Sequence, residues 1–306
     1  MTKTVMISGA SGYFGTIACE FFASHGWKVL KASRHKKADI IFDLDEPESI
    51  SKMRITEKVD LFIHAASANK ESCIADPYNS ISCNIVGTKA ALDFCVGNQI
   101  EHFVYLSTIN VFGQFEGYMN ELSSPAPMDD YGISNLHAEE YVRMYMRQGK
   151  IKGMVIRPSS FIGMPKDMST FSRWNLVPFS FCKQAFLTGE IVLETSGLQK
   201  RNFISILDIC QVINLAFPRM IEFPLIHVLG PDTMTIRNVA ELVQSIFYKS
   251  YQKKIRLVIP DATNHENEFI FHSLYMNDLY QPAGTVESHL ECLSRKIAIN
   301  HIQPFQ

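Results

Sequence analysis

Apolar and polar positions along this chain switch repeatedly between two periods, and the switches mark out strands and helices. Val5 to Ile7 is a short apolar strand. The segment after it repeats at helical spacing, with Phe14, Ile17, Ala18, Phe21 and Phe22 on one face. Lys28 to Ala32 predicts a second strand and Asp39 to Phe42 a third, and Pro47 opens a helix toward Met53. Val59 to His64 predicts a buried strand, Tyr78 to Val96 a helix, and His102 to Leu106 another strand. Glu116 to Asp130, with Pro125 and Pro127, reads as a polar loop. Tyr131 then opens a helix to Met146, and Lys152 to Ile156 is again a strand.

Beyond Arg157 the rhythm loosens. Met168 to Leu187, the short strand Ile191 to Leu193 and the segment Arg201 to Ile206 do not continue the alternation, and they predict part of a second lobe. Asp208 to Phe217 and Ile226 to Leu229 return to the sheet. Thr235 caps a helix over Ile236 to Tyr248, and the stretch from Tyr251 onward is less periodic. Strands alternating with helices at this spacing predict an α/β chain with a doubly wound parallel sheet. The expected division is 1–158 plus about 203–229 for the sheet domain. About 159–202 plus 230–306 would form a smaller, C-terminal substrate lobe.

Composition narrows the partners. The 306 residues are 46% hydrophobic with a formal net charge of −2, enough apolar content for a substantial core and no global pull toward nucleic acid or anionic lipid. Seven cysteines are scattered without a C-x-x-C pair, which fits reduced thiols and gives no metal site. No run approaches the ~18 uninterrupted apolar residues of a membrane span, and the chain opens on a strand rather than a charged stretch before an apolar run. A soluble, cytoplasmic protein acting on a small molecule is expected.

The candidate chemistry starts at Gly9-x-x-Gly12-x-x-Gly15, which joins the first strand to the first helix. Gly9 can take the sharp turn, Gly12 lets the main chain approach a pyrophosphate, and Gly15 lets the helix pack on the sheet. The helix N-terminus then faces the phosphates with free N–H groups. After the second strand comes Ser33-Arg34-His35-Lys36-Lys37, basic where an acidic residue would accept bonds from a ribose. A basic residue there pairs with a 2′-phosphate, so NADP is favoured and NAD is the other candidate. Ala65-Ala66-Ser67, small residues at a strand's C-terminal end, let a flat ligand approach the backbone.

Together the motifs resemble the extended short-chain dehydrogenase/reductase family of nucleotide-sugar epimerases, dehydratases and reductases. The resemblance runs from about Thr4 to Leu242. It rests on the glycines, Asp43-Leu44, His64-Ala65-Ala66, Asn84-Ile85-Val86-Gly87-Thr88, Ser107-Thr108-Ile109-Asn110-Val111-Phe112-Gly113, Tyr131-Gly132-Ile133-Ser134, Arg157-Pro158, and Arg201-Asn202-Phe203-Ile204 before Asp208. It implies a Rossmann fold and an NAD(P)-dependent enzyme, with Gly9, Gly12, Tyr13, Phe14, Gly15, Arg34, Leu44, Ala65, Ala66, Asn84, Ser107, Tyr131 and Ser159 around the cofactor and Asp43 on the adenine amine. Thr108 would donate to the reacting substrate oxygen and Tyr131 would exchange a proton with it. Ser159 and Ser160 would face the reacting centre, with Ser160 on the substrate side. Asn175 and Arg201 would hold a substrate diphosphate, Arg201 bidentately.

Two departures bear on the chemistry. Where the family has Tyr-x-x-x-Lys, this chain has Asn135, which could still bond a ribose hydroxyl but brings no charge. Tyr131 is then expected to titrate near the ordinary phenol value of ~10. Ile109-Asn110 stand where 4,6-dehydratases carry Asp-Glu after the Thr, which argues against dehydration. Keto-sugar reduction with NADPH is the most specific expectation. The partner is a nucleotide-sugar, with no nucleic acid and no membrane, and a homodimer is compatible. The other reading is a regulatory or structural subunit that keeps the cofactor site and has lost turnover.

Overall fold

The structure is a computed structural model and describes residues 2–169, 171–261 and 268–300. Seven parallel strands make the central sheet, in the spatial order Leu225–Val228, Lys152–Pro158, His102–Leu106, Leu61–His64, Thr4–Ser8, Lys28–Ser33 and Ile40–Ile41. Thr4–Ser8 is buried at every position, because helices cover both faces of the sheet. Tyr13–Ser24 and Ile206–Ala216 pack on one face, and Gly87–Gly97 with Asp130–Arg147 on the other. The five apolar residues expected on one face of the first helix are all buried. The chain winds outward from Thr4–Ser8 to Ile40–Ile41 and then crosses back to Leu61–His64. A crevice therefore opens beyond the C-terminal ends of these two neighbouring strands.

The lobe beside the crevice holds a three-stranded sheet of Asp232–Thr235, Lys200–Ser205 and Ser160–Ile162. Helices Val177–Leu187, Ile236–Tyr251 and Val286–Asn300 surround its own core, which includes Phe179, Val243, Phe247 and Leu290. Thr235 caps its helix as expected, accepting from the Asn238 N–H at 3.0 Å. Tyr13 stitches the lobe to the central sheet. Its ring sits among Phe161, Phe171 and Phe179, and its hydroxyl donates to the Gly163 carbonyl at 2.9 Å.

Three stretches differ from the sequence pattern. The helix expected over Tyr78 to Val96 is divided into Pro77–Ile81, a π-helical turn Ser82–Val86, and Gly87–Gly97. The Thr88 hydroxyl donates to the Asn84 carbonyl at 2.6 Å, a side chain intruding on the backbone ladder at the widened turn. The third strand pairs only over Ile40–Ile41, because Asp39 spends its carboxylate on the Lys31 N–H at 2.8 Å. The described part of the tail after Tyr251 holds more regular structure than its periodicity suggests. It carries the strands Arg256–Val258 and Phe269–Phe271 and the helices Met276–Leu279 and Val286–Asn300, and Phe269–Phe271 pairs with Gly117–Met119 inside the expected polar loop.

Candidate active site

The crevice is a cleft of about 1140 Å³ running from the second strand to the lobe. The glycine turn forms its floor under tight constraint. Gly9 has φ of +71°, and a Cβ there would lie 2.8 Å from the Ala66 nitrogen. A Cβ on Gly15 would lie 2.0 Å from the Gly9 carbonyl oxygen, so the turn and the first helical turn touch backbone to backbone. The facing Ala65-Ala66 turn is held from below. Thr88 gives its proton to Asn84, so its Oγ1 accepts from His64 Nε2–H at 3.2 Å, and His64 Nδ1 accepts from Ser8 Oγ at 2.7 Å. Ser8 Oγ in turn accepts the N–H groups of Ala65 and Ala66 at 3.2 and 3.3 Å. Burial pushes His64 down to about 3 and keeps it neutral.

At the far end Ser33, Arg34, His35, Asp43, Leu44 and Asp45 line the cleft. Arg34 is exposed. Asp45 is held below the ordinary carboxylate range, first by the Cys83 thiol that donates to it at 2.9 Å, then by Asn79 and the Arg34 charge. The cleft's middle is lined by Gly9, Gly12, Tyr13, Phe14, Gly15, Ala65 and Ala66. Asn84 does not reach it. Its side chain is buried, accepting from the Ala68 N–H at 2.7 Å and donating to Ser134 Oγ at 2.9 Å, so it props the loop behind the cleft.

Ser107, Thr108, Tyr131, Ser159 and Ser160 meet at the other end. Asp129 caps the helix that carries Tyr131, accepting from the Gly132 N–H at 2.8 Å, so the phenol projects from the first turn. Thr108 Oγ1 accepts from Asn110 N–H at 3.1 Å and from its side-chain amide at 2.8 Å, which leaves its own proton to donate into the cleft. Burial pushes the Tyr131 phenol above its ordinary value, while the Thr108 hydroxyl and the Arg173 charge pull it part of the way back. This corrects the expectation of an unperturbed phenol. Ser107 turns its hydroxyl inward to Glu139 at 2.6 Å, and Arg157 grips the same buried carboxylate through Nε and Nη2 at 2.8 and 2.6 Å. Ser159 Oγ is buried and has no hydrogen-bond partner among the described residues.

Asn135 is not in this constellation. It is 1% exposed, accepts from the Tyr105 hydroxyl at 2.8 Å and donates to the Tyr131 carbonyl at 2.8 Å. The expected reach to a ribose is corrected here: both ends of its amide are engaged inside the fold, away from the cleft wall.

The lobe supplies two cations. Arg201 lies over the Phe115 ring, 4.6 Å to the centroid, and donates to the Lys200 carbonyl at 2.9 Å, with no carboxylate beside it among the described residues. Burial lowers its pKa, so an incoming anion would relieve a cost already present. Asn175 also lines the cleft, yet its amide is engaged by Glu71 from the opposite wall, and Arg173 Nη1 meets the same carboxylate at 2.6 Å. Sequence reasoning missed Glu71, Arg173 and Phe115. Asn69-x-x-Ser72 signals the N-cap of the short helix Lys70–Ala75 that carries Glu71, but nothing in the pattern brings residue 173 to it.

Over residues 5–223 the sequence matches the profile described as the NAD dependent epimerase/dehydratase family. The chain belongs to that family. Among curated relatives, an uncharacterized UDP-glucose epimerase of Bacillus subtilis, YtcB, is 23% identical over 79% of this chain and 81% of its own length. Among solved structures, the UDP-glucose 4-epimerase of Thermotoga maritima with UDP-glucose superposes with a TM-score of 0.81 at 17% identity, covering 97% of this chain and 99% of that one. The RMD protein of Pseudomonas aeruginosa, complexed with NADPH, gives 0.79 at 20% identity over 98% and 100%. At these identities the superpositions establish the shared fold. Membership makes this an epimerase/dehydratase-type enzyme of the extended short-chain dehydrogenase group that uses a nicotinamide dinucleotide. No helix among the described residues is long and apolar enough to cross a membrane.

Proposed function

We propose that this family member reduces a nucleotide-activated keto-sugar with NADPH. The carrying observation is the arrangement at the reacting end: the half-buried Tyr131 phenol, pushed above its ordinary value, lines the cleft with a Thr108 hydroxyl that has a proton to give. Such a pair is set to donate protons at neutral pH rather than to take them. Ile109 and Asn110 add neither acid nor base, and Asn110 is committed to Thr108, so the reading leaves out dehydration.

The cofactor fits features of the chain itself. The glycine turn lines the cleft with bare backbone, the two alanines line it opposite, and the partnerless Ser159 hydroxyl lies at the reacting end. Gly9, Gly12 and Gly15 would pass under the pyrophosphate, Asp43 and Leu44 would border the adenine, and Arg34 would meet the 2′-phosphate of NADP. The chemistry supplied by the bound group is hydride delivery to the carbonyl carbon. Thr108 then stabilises the oxygen as charge develops, and Tyr131 gives it the proton that completes the alcohol. Arg201 and Asn175 would hold the substrate diphosphate.

A second reading draws on Asn135, whose inward turn leaves Tyr131 without the family's ammonium. On that reading the chain binds the cofactor without turnover. Consumption of NADPH against a panel of keto-sugar nucleotides separates the two. Reduction of any member at a rate that saturates with substrate supports the reductase. Cofactor binding without consumption across the panel supports the silent subunit, and interconversion of C4 epimers without net NADPH loss supports an epimerase.

A further inference from the structure

A diphosphate carries two negative charges, and the cleft offers two arginines from the lobe, Arg201 and Arg173. They are in different states. Arg201 lies over an aromatic ring with no carboxylate beside it among the described residues, whereas Arg173 is paired across the cleft with Glu71. The same Glu71 carboxylate also takes the Asn175 amide, so two donors of one lobe segment converge on one anion.

Glu71 comes from the other wall. It sits in the first turn of the short helix Lys70–Ala75, which follows the Ala65-Ala66 turn, and the neighbouring Lys70 pairs with Asp129 at 2.8 Å. Asp129 is the cap of the helix that carries Tyr131. The short helix is thus tied on one side to the reacting helix and on the other to the lobe. Its tie to the lobe is partly open to solvent, with the Glu71 side chain 48% exposed and that of Arg173 22%. A half-exposed ion pair contributes little net stability, so a ligand with a stronger anion can replace it.

We infer that Arg173 joins Arg201 and Asn175 as a further donor to the substrate diphosphate, and that Glu71 occupies Arg173 and Asn175 in the free protein as an internal competitor. This inference rests on the nucleotide-sugar reading above. The carboxylate is well suited to the place. Burial works against its charge, yet its own backbone N–H, Arg173 and Asn175 outweigh that and hold it ionised below the ordinary range. The phosphate that displaces it gains a planar guanidinium and an amide already oriented toward an anion. Displacement also frees the Arg173 charge from its counter-ion while it remains near the Tyr131 phenol.

Calorimetry of the full chain with UDP, dTDP and GDP tests this, alongside NADPH titration as a control for folding. Glu71→Gln removes the competing charge and keeps the shape, and should bind the preferred nucleoside diphosphate about threefold to tenfold more tightly than the parent. Arg173→Ala should bind it more weakly, and in the Arg173→Ala background the gain from Glu71→Gln should vanish. Equal or weaker binding by Glu71→Gln overturns the inference, as does a gain that persists without Arg173. Absence of nucleoside diphosphate binding in parent and variants alike, with NADPH binding intact, overturns the nucleotide-sugar reading and this inference with it. Binding by the parent that Glu71→Gln leaves unimproved overturns this inference alone.

Discussion

Tyr105, on the strand His102–Leu106, donates its hydroxyl to the side-chain carbonyl of Asn135 at 2.8 Å, and the amide of Asn135 returns to the Tyr131 carbonyl four residues back. The position where the family resemblance leads one to expect a lysine is thereby a structural bond between the sheet and the helix of Tyr131. Asn135→Lys must bury an ammonium and orphan the Tyr105 hydroxyl, and should cost about 2–4 kcal/mol of stability. Tyr105→Phe in the same chain removes the orphan and should recover part of that loss. Urea midpoints of the two variants decide it; equal stability of Asn135→Lys and the parent would show that the bond carries no weight. Should the single variant remain folded, the added charge should shift the alkaline limb of any pH–rate profile downward, at about 1.4 kcal/mol per unit.

The glycine turn gives a sharper packing prediction. Gly15→Ala drives a methyl to 2.0 Å from the Gly9 carbonyl, a backbone atom that cannot move aside without opening the turn. A loss of about 2–4 kcal/mol and loss of cofactor binding should follow together. A thermal melt and an NADPH titration unchanged from the parent would contradict the turn's geometry.

Cofactor preference should follow Arg34. Arg34 lines the adenosine end and is exposed, so a 2′-phosphate can recruit it. Charge-assisted bonds of this kind are worth about 1.5–3 kcal/mol, and Arg34→Ala should weaken NADP(H) about tenfold or more while leaving NAD(H) nearly unchanged. Fluorescence titration showing equal parental affinity for both cofactors would remove the assignment.

Acid sensitivity should come from two buried histidines. Burial lowers His64 to about 3 and His227 to about 4, against an unfolded value of ~6.5. Below pH ~6.5 the unfolded chain takes up protons that the folded chain refuses, so stability is full above that pH and falls as pH drops toward the folded values. Each histidine contributes up to about 1.4 kcal/mol per unit across that window. The unfolding free energy from denaturant titrations should therefore fall from about pH 6.5 toward about pH 4, by ~3 kcal/mol per unit at most. A folded-state NMR titration of His64 near its ordinary value would contradict the Ser8–His64–Thr88 arrangement.

Much of this was legible in the sequence, for reasons that differ by residue. The glycines were legible because a strand-to-helix turn is local and its spacing survives in one dimension, whereas Thr108 and Tyr131 were implied by the family resemblance. All of them line the cleft. Asn84 and Asn135 were placed at the cofactor site by the family resemblance, and a motif match does not say what the opposite elements offer. Ala68, Ser134 and Tyr105 take those amides first. The Tyr131 titration was misjudged because burial is a tertiary quantity. The pair of Glu71 with Arg173 joins residues 102 apart and had no sequence signal at all. The regular structure in the described part of the tail was missed because its two short strands pair across long separations, where periodicity is too brief to register.

The central claim is that a neutral Tyr131 phenol gives the proton in keto-sugar reduction, and the pH dependence of NADPH oxidation on the best keto-sugar nucleotide measures it most directly. The parent rate should stay level across neutral pH and fall only at alkaline pH as the raised phenol ionises, and Tyr131→Phe should abolish turnover at every pH with NADPH binding intact. A parent rate that climbs with pH through neutrality, or robust reduction that survives Tyr131→Phe, would contradict it.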